Sequence, residues 1–192
     1  MLIFSSYVSP RHRAQRTLEL LNLQCSAPVT VTEKIREWDY GDYEGITSAE
    51  IRERRKAAGL DPHWDIWTMG CPGGETVEDV VTRVDELIAE IRKEHHSTYI
   101  GKKASEVDGE GEGCTGDVVV VAHGHILRAF AMRWVGESLS RTSLIMEAGG
   151  VGTLSYEHNN IEEPAILLGG GFVVGDEVLQ DVEEEEKEGK IK

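Results

Sequence analysis

One segment of the sequence constrains the fold more than any other. Five consecutive apolar residues, Val118 to Ala122, lie between Asp117 and the pair His123 and Gly124, and a helical pattern follows at once. A short apolar run of this kind is typical of a strand that is covered on both faces, as in parallel sheets. Such a strand needs a layer of helices on each side. We therefore predict an α/β fold.

The rest of the chain alternates helix and strand patterns. The clearest helical periodicity follows Thr76, where apolar residues recur at steps of three and four until Ile91. Thr76 and Asp79 resemble the capping box of this helix, and Thr47 with Glu50 is a capping-box pattern at the start of a second predicted helix. Further helices are predicted at 10–22 and 48–58, and further strands at 2–7, 29–32, 151–156 and 165–168. This order favours a three-layer helix-sheet-helix architecture with a mostly parallel sheet.

The length of 192 residues favours a single domain. We assign it to residues 1–175. Within it, residues 101–116 are rich in glycine and acidic residues and predict a flexible surface insertion. Residues 176–192 carry eight acidic residues and three lysines, and we expect them to form an acidic disordered tail.

The composition excludes several classes of function. A net charge of -15 argues against nucleic-acid binding, which needs a basic surface. Residues 101–117 and 176–192 contribute -3 and -5 of that charge, so an anionic small molecule remains compatible with the rest. No apolar run is long enough to span a membrane, and we expect a cytoplasmic protein. The cysteines at 25, 71 and 114 match neither a disulfide framework nor a zinc motif, and the oligomeric state, including a homo-oligomer, is left open.

His123 is the first candidate for chemistry. It follows the predicted buried strand, and open α/β sheets bind ligands at the carboxyl ends of their strands. Gly124 would let a ligand approach the backbone, and the start of the next helix favours an anion. The alternative is a structural histidine that hydrogen-bonds a neighbouring loop. His125 does not complete a metal pair, because alternating histidines point in different directions.

Arg13 belongs to a basic cluster in the first turns of the predicted helix at 10–22, for which Ser9 and Pro10 read as N-cap and first helical residue. The planar guanidinium fork of arginine suits phosphate. The alternative is a basic surface patch.

Glu37 lies in a glycine-bounded loop together with Trp38 and Tyr40. A carboxyl beside an indole can be partly desolvated and remain protonated, as a general acid requires. The alternative is a structural loop with surface acids.

Four segments occur in an order that resembles the histidine phosphatase, or phosphoglycerate-mutase-like, superfamily. They are Ser9 to Thr17, Arg36 to Gly45, Pro72 to Thr76, and Ala122 to Gly124. Within that superfamily the chain is similar to the fungal sedoheptulose-1,7-bisphosphatases, and this similarity extends through Gly149 to Tyr156, His158, and Asn160 with Ile161.

The resemblance implies hydrolysis of small phosphorylated sugars, such as sedoheptulose 1,7-bisphosphate, through a phosphohistidine. Arg13 would hold the transferred phosphoryl group, His123 would stabilise its charge, and Glu37 would protonate the leaving oxygen and then activate water. Trp38 and Tyr40 would line the pocket, whereas Arg128 and His158 would hold the sugar or a distal phosphate. The resemblance implies no metal and no cofactor.

One departure from the family pattern leaves alternatives open. The Arg-His-Gly motif that carries the nucleophile in the family does not occur in these 192 residues. We therefore expect the first central strand of the sheet to be missing and the chain to be poorly stable, with little phosphohistidine-dependent activity. The alternatives are a phosphoglycerate-mutase-like phosphotransferase, a non-catalytic phosphate-binding module, and an interaction protein that uses the acidic tail.

Overall fold

The computed structural model describes residues 5–23, 27–102, 116–141 and 143–168. Most of the predicted insertion and the whole acidic tail lie outside the described residues, so both stay predictions. In the described part of the chain no helix combines the length and the apolar character needed to cross a membrane.

The first described element is a strand, helices separate the first four strands, and the last two strands are consecutive. The strands are β1 Ser5–Val8, β2 Val29–Val31, β3 Val118–Val121, β4 Thr153–Tyr156 and β5 Pro164–Leu167. The helices are α1 His12–Leu21, α2 Ser48–Ala57, α3 Ile66–Met69, α4 Val77–Ile91 and α5 Gly124–Trp134. Short 3-10 turns lie at Glu33–Ile35, Gly41–Tyr43 and Glu157–Asn159, and α4 continues into a π-helical turn at Arg92–His96.

The first three strands form a parallel sheet in the order β2-β1-β3. Ser6 lies opposite Val29 on one side and opposite Val119 on the other. Strands β4 and β5 form a separate antiparallel pair. This pair is held to α5 by the indole N–H of Trp134, which donates to the carbonyl of Ser155 at 3.0 Å. The predicted α/β class and mostly parallel sheet are confirmed.

The two faces of the parallel sheet pack against different helices. Successive residues of a strand point to opposite faces, and Tyr7 and Val8 separate accordingly. Val8 and Val121 pack against Ala14 of α1. Tyr7 belongs to the larger core on the other face, which includes the apolar residues of α4 and α5. The three-layer arrangement follows from this division.

The expectation that β3 is covered on both faces is confirmed, although the cover is incomplete. Val118 and Val120 pack against the larger core, and Val119 and Val121 pack in the cluster on the α1 side. Val118, Val119 and Val120 are half-buried, and of the four residues of β3 only Val121 is buried. Among the described strands β3 pairs only with β1 and lies at the edge of the three-stranded sheet, where cover is smaller. Strand β1, in the centre, is buried throughout.

The helix starts follow the local signals with one exception. Both predicted capping boxes are present, at Thr47 with Glu50 and at Thr76 with Asp79. Ser9 is not the cap of α1, because that helix starts at His12, after Arg11. The Ser9 hydroxyl is turned into the candidate active site instead, where it lies 2.8 Å from a ring nitrogen of His123.

Candidate active site

His123 lies between the carboxyl end of β3 and the first residue of α5, and it is 8% exposed. Arg13, in the first turn of α1, donates its Nε–H to Nδ1 of His123 at 3.1 Å. Nε2 of His123 lies 2.8 Å from the Ser9 hydroxyl, which is fully buried at the end of β1. The two parallel strands therefore deliver Ser9 and His123 side by side.

The contacts of His123 define the hydrogen-bond roles of its two ring nitrogens. Because Arg13 donates to Nδ1, that nitrogen is an acceptor, and the ring hydrogen lies on Nε2, facing Ser9. Burial lowers the pKa of His123, and the nearby charges of Arg13 and Arg11 lower it further, against an opposing effect of Glu37. A bound phosphate dianion would reverse this balance by adding negative charge beside the ring.

The Glu37 carboxylate lies on the N-terminus of α5. Its Oε1 accepts N–H bonds from Trp38 and Ile126, both at 3.0 Å, and its Oε2 accepts the N–H of His125 at 3.3 Å. These main-chain donors surround the carboxylate with positive ends of peptide dipoles. The environment thus differs from the indole-lined pocket that the sequence suggested, because tertiary packing brings the helix terminus to Glu37.

Trp38 lies in the core and is not part of the lining of either cavity described below. It is 1% exposed, and its indole N–H donates to the carbonyl of Glu75 at 3.1 Å. Glu75 accepts two bonds from Arg83, at 2.8 and 2.9 Å, and one from the N–H of Asp39 at 3.0 Å. Arg36 lies 3.0 Å from the same carboxylate. These contacts fix the loop that carries Glu37.

The loop is also fixed by a close approach of two glycines. Gly41 has a positive φ of 50°, and a Cβ there would overlap the main chain of Gly74 and Pro72. The N–H of Asp42 donates to the carbonyl of Pro72 at 2.8 Å across this contact. Only glycine allows the two segments to approach so closely.

Tyr40, Arg128 and Gly124 lie beside this centre, and their role in substrate binding stays a prediction. The Tyr40 hydroxyl lies 2.8 Å from Nδ1 of His125. Arg128, one turn further along α5, places its guanidinium 4.7 Å from the centre of the Trp67 ring. At Gly124 a Cβ would meet only the Met146 carbonyl, at 3.7 Å, so the surrounding protein leaves room at this backbone position.

Two cavities flank the Trp67 and Arg128 pair. The larger one, about 390 Å³, is lined in part by Tyr40, His125, Trp67, Arg128 and Arg52. The smaller one, about 260 Å³, is also lined by Trp67 and Arg128. The larger cavity therefore adjoins the residues around Glu37.

His158 lies apart from these contacts. It is exposed in the turn after β4, and its Nδ1 is 2.7 Å from a Glu163 carboxylate oxygen, which raises the pKa of His158. With Glu157 the three side chains place their ligand atoms within 4.8 Å of one another on the surface. The described contacts do not bring His158 to His123, Arg13 or Glu37, so its role at a sugar or distal phosphate stays a prediction.

Sequence reasoning overlooked two residues of the centre. Ser9 was interpreted as a helix cap, although its position after a predicted strand was a signal that it lies at a strand end. His125 was set aside as a neighbour of His123, and no local pattern indicated that its ring contacts Tyr40, 85 residues away. Both contacts join segments that are distant in sequence.

The arrangement is chemically suited to a phosphate ester. Arg13 and the His123 ring supply hydrogen-bond donors for phosphate oxygens, and α5 contributes its N-terminal dipole. Glu37 supplies a carboxyl group on the same helix terminus, where it can exchange a proton with a bound oxygen.

Known sequences that are similar to this chain include phosphatases. A profile of the histidine phosphatase superfamily, branch 1, matches residues 2–101. Over 208 residues the chain is 34% identical to sedoheptulose 1,7-bisphosphatase of Saccharomyces cerevisiae, covering 87% of this chain and 73% of the yeast protein. Over 160 residues it is 36% identical to an acid phosphatase of Mycobacterium tuberculosis, covering 83% of this chain and 65% of that protein.

Solved structures give the same result. A protein from an open reading frame of Mycobacterium tuberculosis superposes with a TM-score of 0.63 at 32% identity, covering 85% of this chain and 70% of that chain. A mycobacterial glucosyl-3-phosphoglycerate phosphatase in complex with inorganic phosphate shares the fold, with a TM-score of 0.63 at 23% identity over 88% of this chain and 76% of that chain. With more than half of its length matched by the profile and a third of its aligned residues shared with the yeast enzyme, the chain belongs to the histidine phosphatase superfamily.

Proposed function

We propose that this protein binds phosphate monoesters of small sugars, with sedoheptulose 1,7-bisphosphate as the substrate, and takes part in their hydrolysis. The observation that carries the proposal is the junction of β3 and α5, where His123 contacts Arg13 and Ser9 and where the same helix terminus holds Glu37. The similarity to a sedoheptulose bisphosphatase and to an acid phosphatase supports the same class of substrate.

Phosphate binding would replace contacts that Arg13 and His123 make with each other. The Arg13 guanidinium would turn its fork from His123 to the phosphate oxygens, and the released Nδ1 of His123 would take up a proton. The protonated ring would then donate to the phosphoryl oxygens and offset the charge that develops on them in the transition state.

Glu37 would act as the proton donor. As a nucleophile forms a bond to phosphorus and the bond between phosphorus and the ester oxygen breaks, the carboxyl gives its proton to that oxygen, which leaves as the sugar hydroxyl. The resulting carboxylate then accepts a proton from the water that completes hydrolysis, so the group returns to its starting state.

In this scheme Arg13, His123 and Glu37 bind the phosphate and transfer protons. None of the 192 residues is assigned as the nucleophile that attacks phosphorus. The family nucleophile is the histidine of an Arg-His-Gly motif, which does not occur in them. This observation favours one second candidate, a module that binds phosphate esters without turning them over.

The larger cavity supports a sugar as the remainder of the substrate. Its volume of about 390 Å³ lies within the range of small-molecule sites. Aromatic rings of Tyr40 and Trp67 line it, and the guanidinium groups of Arg128 and Arg52 could meet a second phosphate. A bisphosphorylated sugar would then span from His123 into this cavity.

Calorimetric titration with inorganic phosphate, a sugar monophosphate and sedoheptulose 1,7-bisphosphate tests the binding site. We expect Arg13→Gln and His123→Ala to weaken all three ligands by about 10- to 100-fold, because each removes a charge-assisted hydrogen bond. Arg128→Gln should weaken the bisphosphate alone. Arg16→Gln is the matched control, since Arg16 is exposed on the same helix and pairs with Glu19. Equal affinities for wild type and Arg13→Gln would contradict the site.

Phosphate release from the same ligands separates the candidate functions. Turnover that is abolished by Glu37→Gln supports the phosphatase. Tight binding without release supports the non-catalytic module. Transfer of the phosphoryl group between two positions of a substrate, without release, would favour the phosphoglycerate-mutase-like alternative.

A further inference from the structure

The position of the Ser9 hydroxyl is fixed by the main chain around it. The N–H of Ser9 donates to the carbonyl of Val121 at 3.0 Å, which joins the end of β1 to the end of β3. Pro10 follows directly, and a proline disfavours helical backbone at the residue before it. The side-chain amide of Gln15 donates to the Pro10 carbonyl at 2.8 Å. Because Ser9 is also fully buried, its hydroxyl has little freedom to move away from His123.

Two N–H groups use the Ser9 oxygen as their acceptor. The main-chain N–H of Arg11 donates to it at 3.3 Å. The second donor is Nε2 of His123, at 2.8 Å. Arg13 donates to Nδ1 of the same ring at 3.1 Å, so the single hydrogen of the neutral ring lies on Nε2 and points at Ser9. A hydroxyl oxygen has two acceptor positions, and these contacts occupy both.

The bond to Ser9 selects one orientation of the His123 ring. A half-turn of the ring about its Cβ–Cγ bond would exchange Nε2 with a ring carbon and leave the buried hydroxyl without its donor. The other ring nitrogen, Nδ1, faces Arg13, which is exposed on α1. An anion that approaches Arg13 from solvent would therefore meet Nδ1 and not Nε2.

The charges around the ring favour its neutral form in the free protein. Burial and the positive charge of Arg13 lower the pKa of His123, Glu37 opposes them, and Arg11 adds a further lowering effect. Arg11 and Arg13 lie at the start of α1, and Glu37 lies in the loop that contacts the start of α5. A bound dianion adds negative charge beside Nδ1 and raises the same pKa.

The Ser9 oxygen matters more for the protonated ring than for the neutral one. A neutral ring without this acceptor can carry its hydrogen on Nδ1 instead, whereas a protonated ring carries a hydrogen on both nitrogens. The Nε2 hydrogen of the protonated ring would then lose its partner in a buried place, which is costly for a charged group. Hydrogen bonds from an ionised donor are also roughly twice as strong as neutral ones. Loss of the hydroxyl should therefore lower the pKa of His123, with and without a bound anion.

We propose that Ser9 is a positioning residue for His123: it accepts the ring hydrogen at Nε2, presents Nδ1 to the phosphate, and supports the ring when Nδ1 takes up a proton. The proton uptake in this statement rests on the proposed function. The tautomer and the orientation of the ring concern the free protein and do not depend on it.

The first test is the tautomer of His123 in the free protein at neutral pH, measured by nitrogen-15 NMR of the histidine rings. We expect the hydrogen on Nε2 and a bare Nδ1 in the wild type. In Ser9→Ala the hydrogen should move at least in part to Nδ1, because the acceptor for Nε2 is lost. A hydrogen on Nδ1 in the wild type, or an unchanged tautomer in Ser9→Ala, would overturn the proposal.

The second test is the affinity for inorganic sulfate as a function of pH. Sulfate is tetrahedral like phosphate but stays a dianion across the range, so changes in affinity report on the protein. The affinity should fall as the pH rises and the bound ring loses its proton. In Ser9→Ala this fall should begin about one pH unit lower, which weakens sulfate by up to about tenfold, because one hydrogen bond to the protonated ring is lost.

The pH range of the loss separates positioning from a structural role. At higher pH, where the ring is neutral with and without sulfate, Ser9→Ala should bind sulfate at least as tightly as the wild type does. A loss of the same size at every pH would indicate a structural role alone and would overturn the proposal.

Two variants control both tests. Ser5→Ala removes another buried hydroxyl from β1, one that donates to the Pro28 carbonyl at 3.4 Å, and should leave the tautomer and the pH profile unchanged. Ser9→Thr keeps the hydroxyl and should keep the hydrogen on Nε2, in contrast to Ser9→Ala. A shifted tautomer in Ser5→Ala would assign the effect to the strand and contradict the proposal. Absence of sulfate binding in the wild type would count against the proposed function, and the tautomer would then decide this inference.

Discussion

Replacement of Glu75 by glutamine should destabilise the protein strongly, because it removes the carboxylate that Arg83 and Arg36 both contact at this loop. The Glu75 side chain is 9% exposed, and those of Arg83 and Arg36 are 12% and 29% exposed. Removing one partner of a buried ion pair costs about 3–5 kcal/mol. Arg36 can regain water, so we expect the lower end, about 3 kcal/mol, for Glu75→Gln. That is a large share of the roughly 5–15 kcal/mol by which a domain is stable.

Urea denaturation followed by the fluorescence of the four tryptophans measures this loss. Glu86→Gln is the matched control, because the Glu86 side chain is 59% exposed and lies 3.9 Å from Lys34, and a change below about 0.5 kcal/mol is expected there. The double variant Glu75→Gln, Arg83→Gln should lose less stability than the sum of the two single variants, since the second change removes the unpaired charge. A loss below about 1 kcal/mol for Glu75→Gln would refute the reasoning.

Two further stability predictions follow from the loop and from a buried histidine. Gly41→Ala should lower the free energy of unfolding by about 3 kcal/mol, because its φ is strained and the new Cβ overlaps main chain. Gly59→Ala has a φ of 70° and no atom within 4 Å of the new Cβ, so denaturation experiments should show a loss of only about 1 kcal/mol. Equal losses would contradict the close approach. Burial lowers the pKa of His96 to about 4, so the folded state holds its ring neutral. The stability that this contributes is complete above the unfolded pKa of about 6.5 and is lost as the pH falls toward 4. His96→Gln should therefore make denaturation midpoints less sensitive to pH between 6.5 and 4, and an unchanged slope would contradict the assignment.

Local sequence signals predicted those features that local physics decides. The apolar period of α4 and the capping boxes at Thr47 and Thr76 depend on residues within one or two turns, and the structure has them as expected. The misreading of Ser9 has the same origin. Serine before proline is a good helix cap by local rules, but the buried hydrogen bond to His123 depends on the pairing of β1 with β3.

The identity of the central strand is a second feature that the pattern alone does not give. Five consecutive apolar residues indicate a strand that is shielded from water, but they do not tell how many other strands it pairs with. The order β2-β1-β3 leaves its first three valines half-buried, and the fully buried strand is β1, which contains two serines. Main-chain pairing, not side-chain apolarity, decided which strand lies in the centre.

The sequence by itself determined the α/β class, the capping boxes at Thr47 and Thr76, the superfamily, and Arg13, Glu37 and His123 as the candidates for chemistry. Only the tertiary structure decided how these residues meet: the Ser9 hydroxyl on a ring nitrogen 114 residues away, the Glu37 carboxylate on the first N–H groups of α5, and Tyr40 on His125. The physical reason is the separation in sequence of the residues that interact. Periodicity and caps arise from neighbours in sequence, whereas hydrogen bonds between distant segments depend on strand register and on the packing of helices against the sheet.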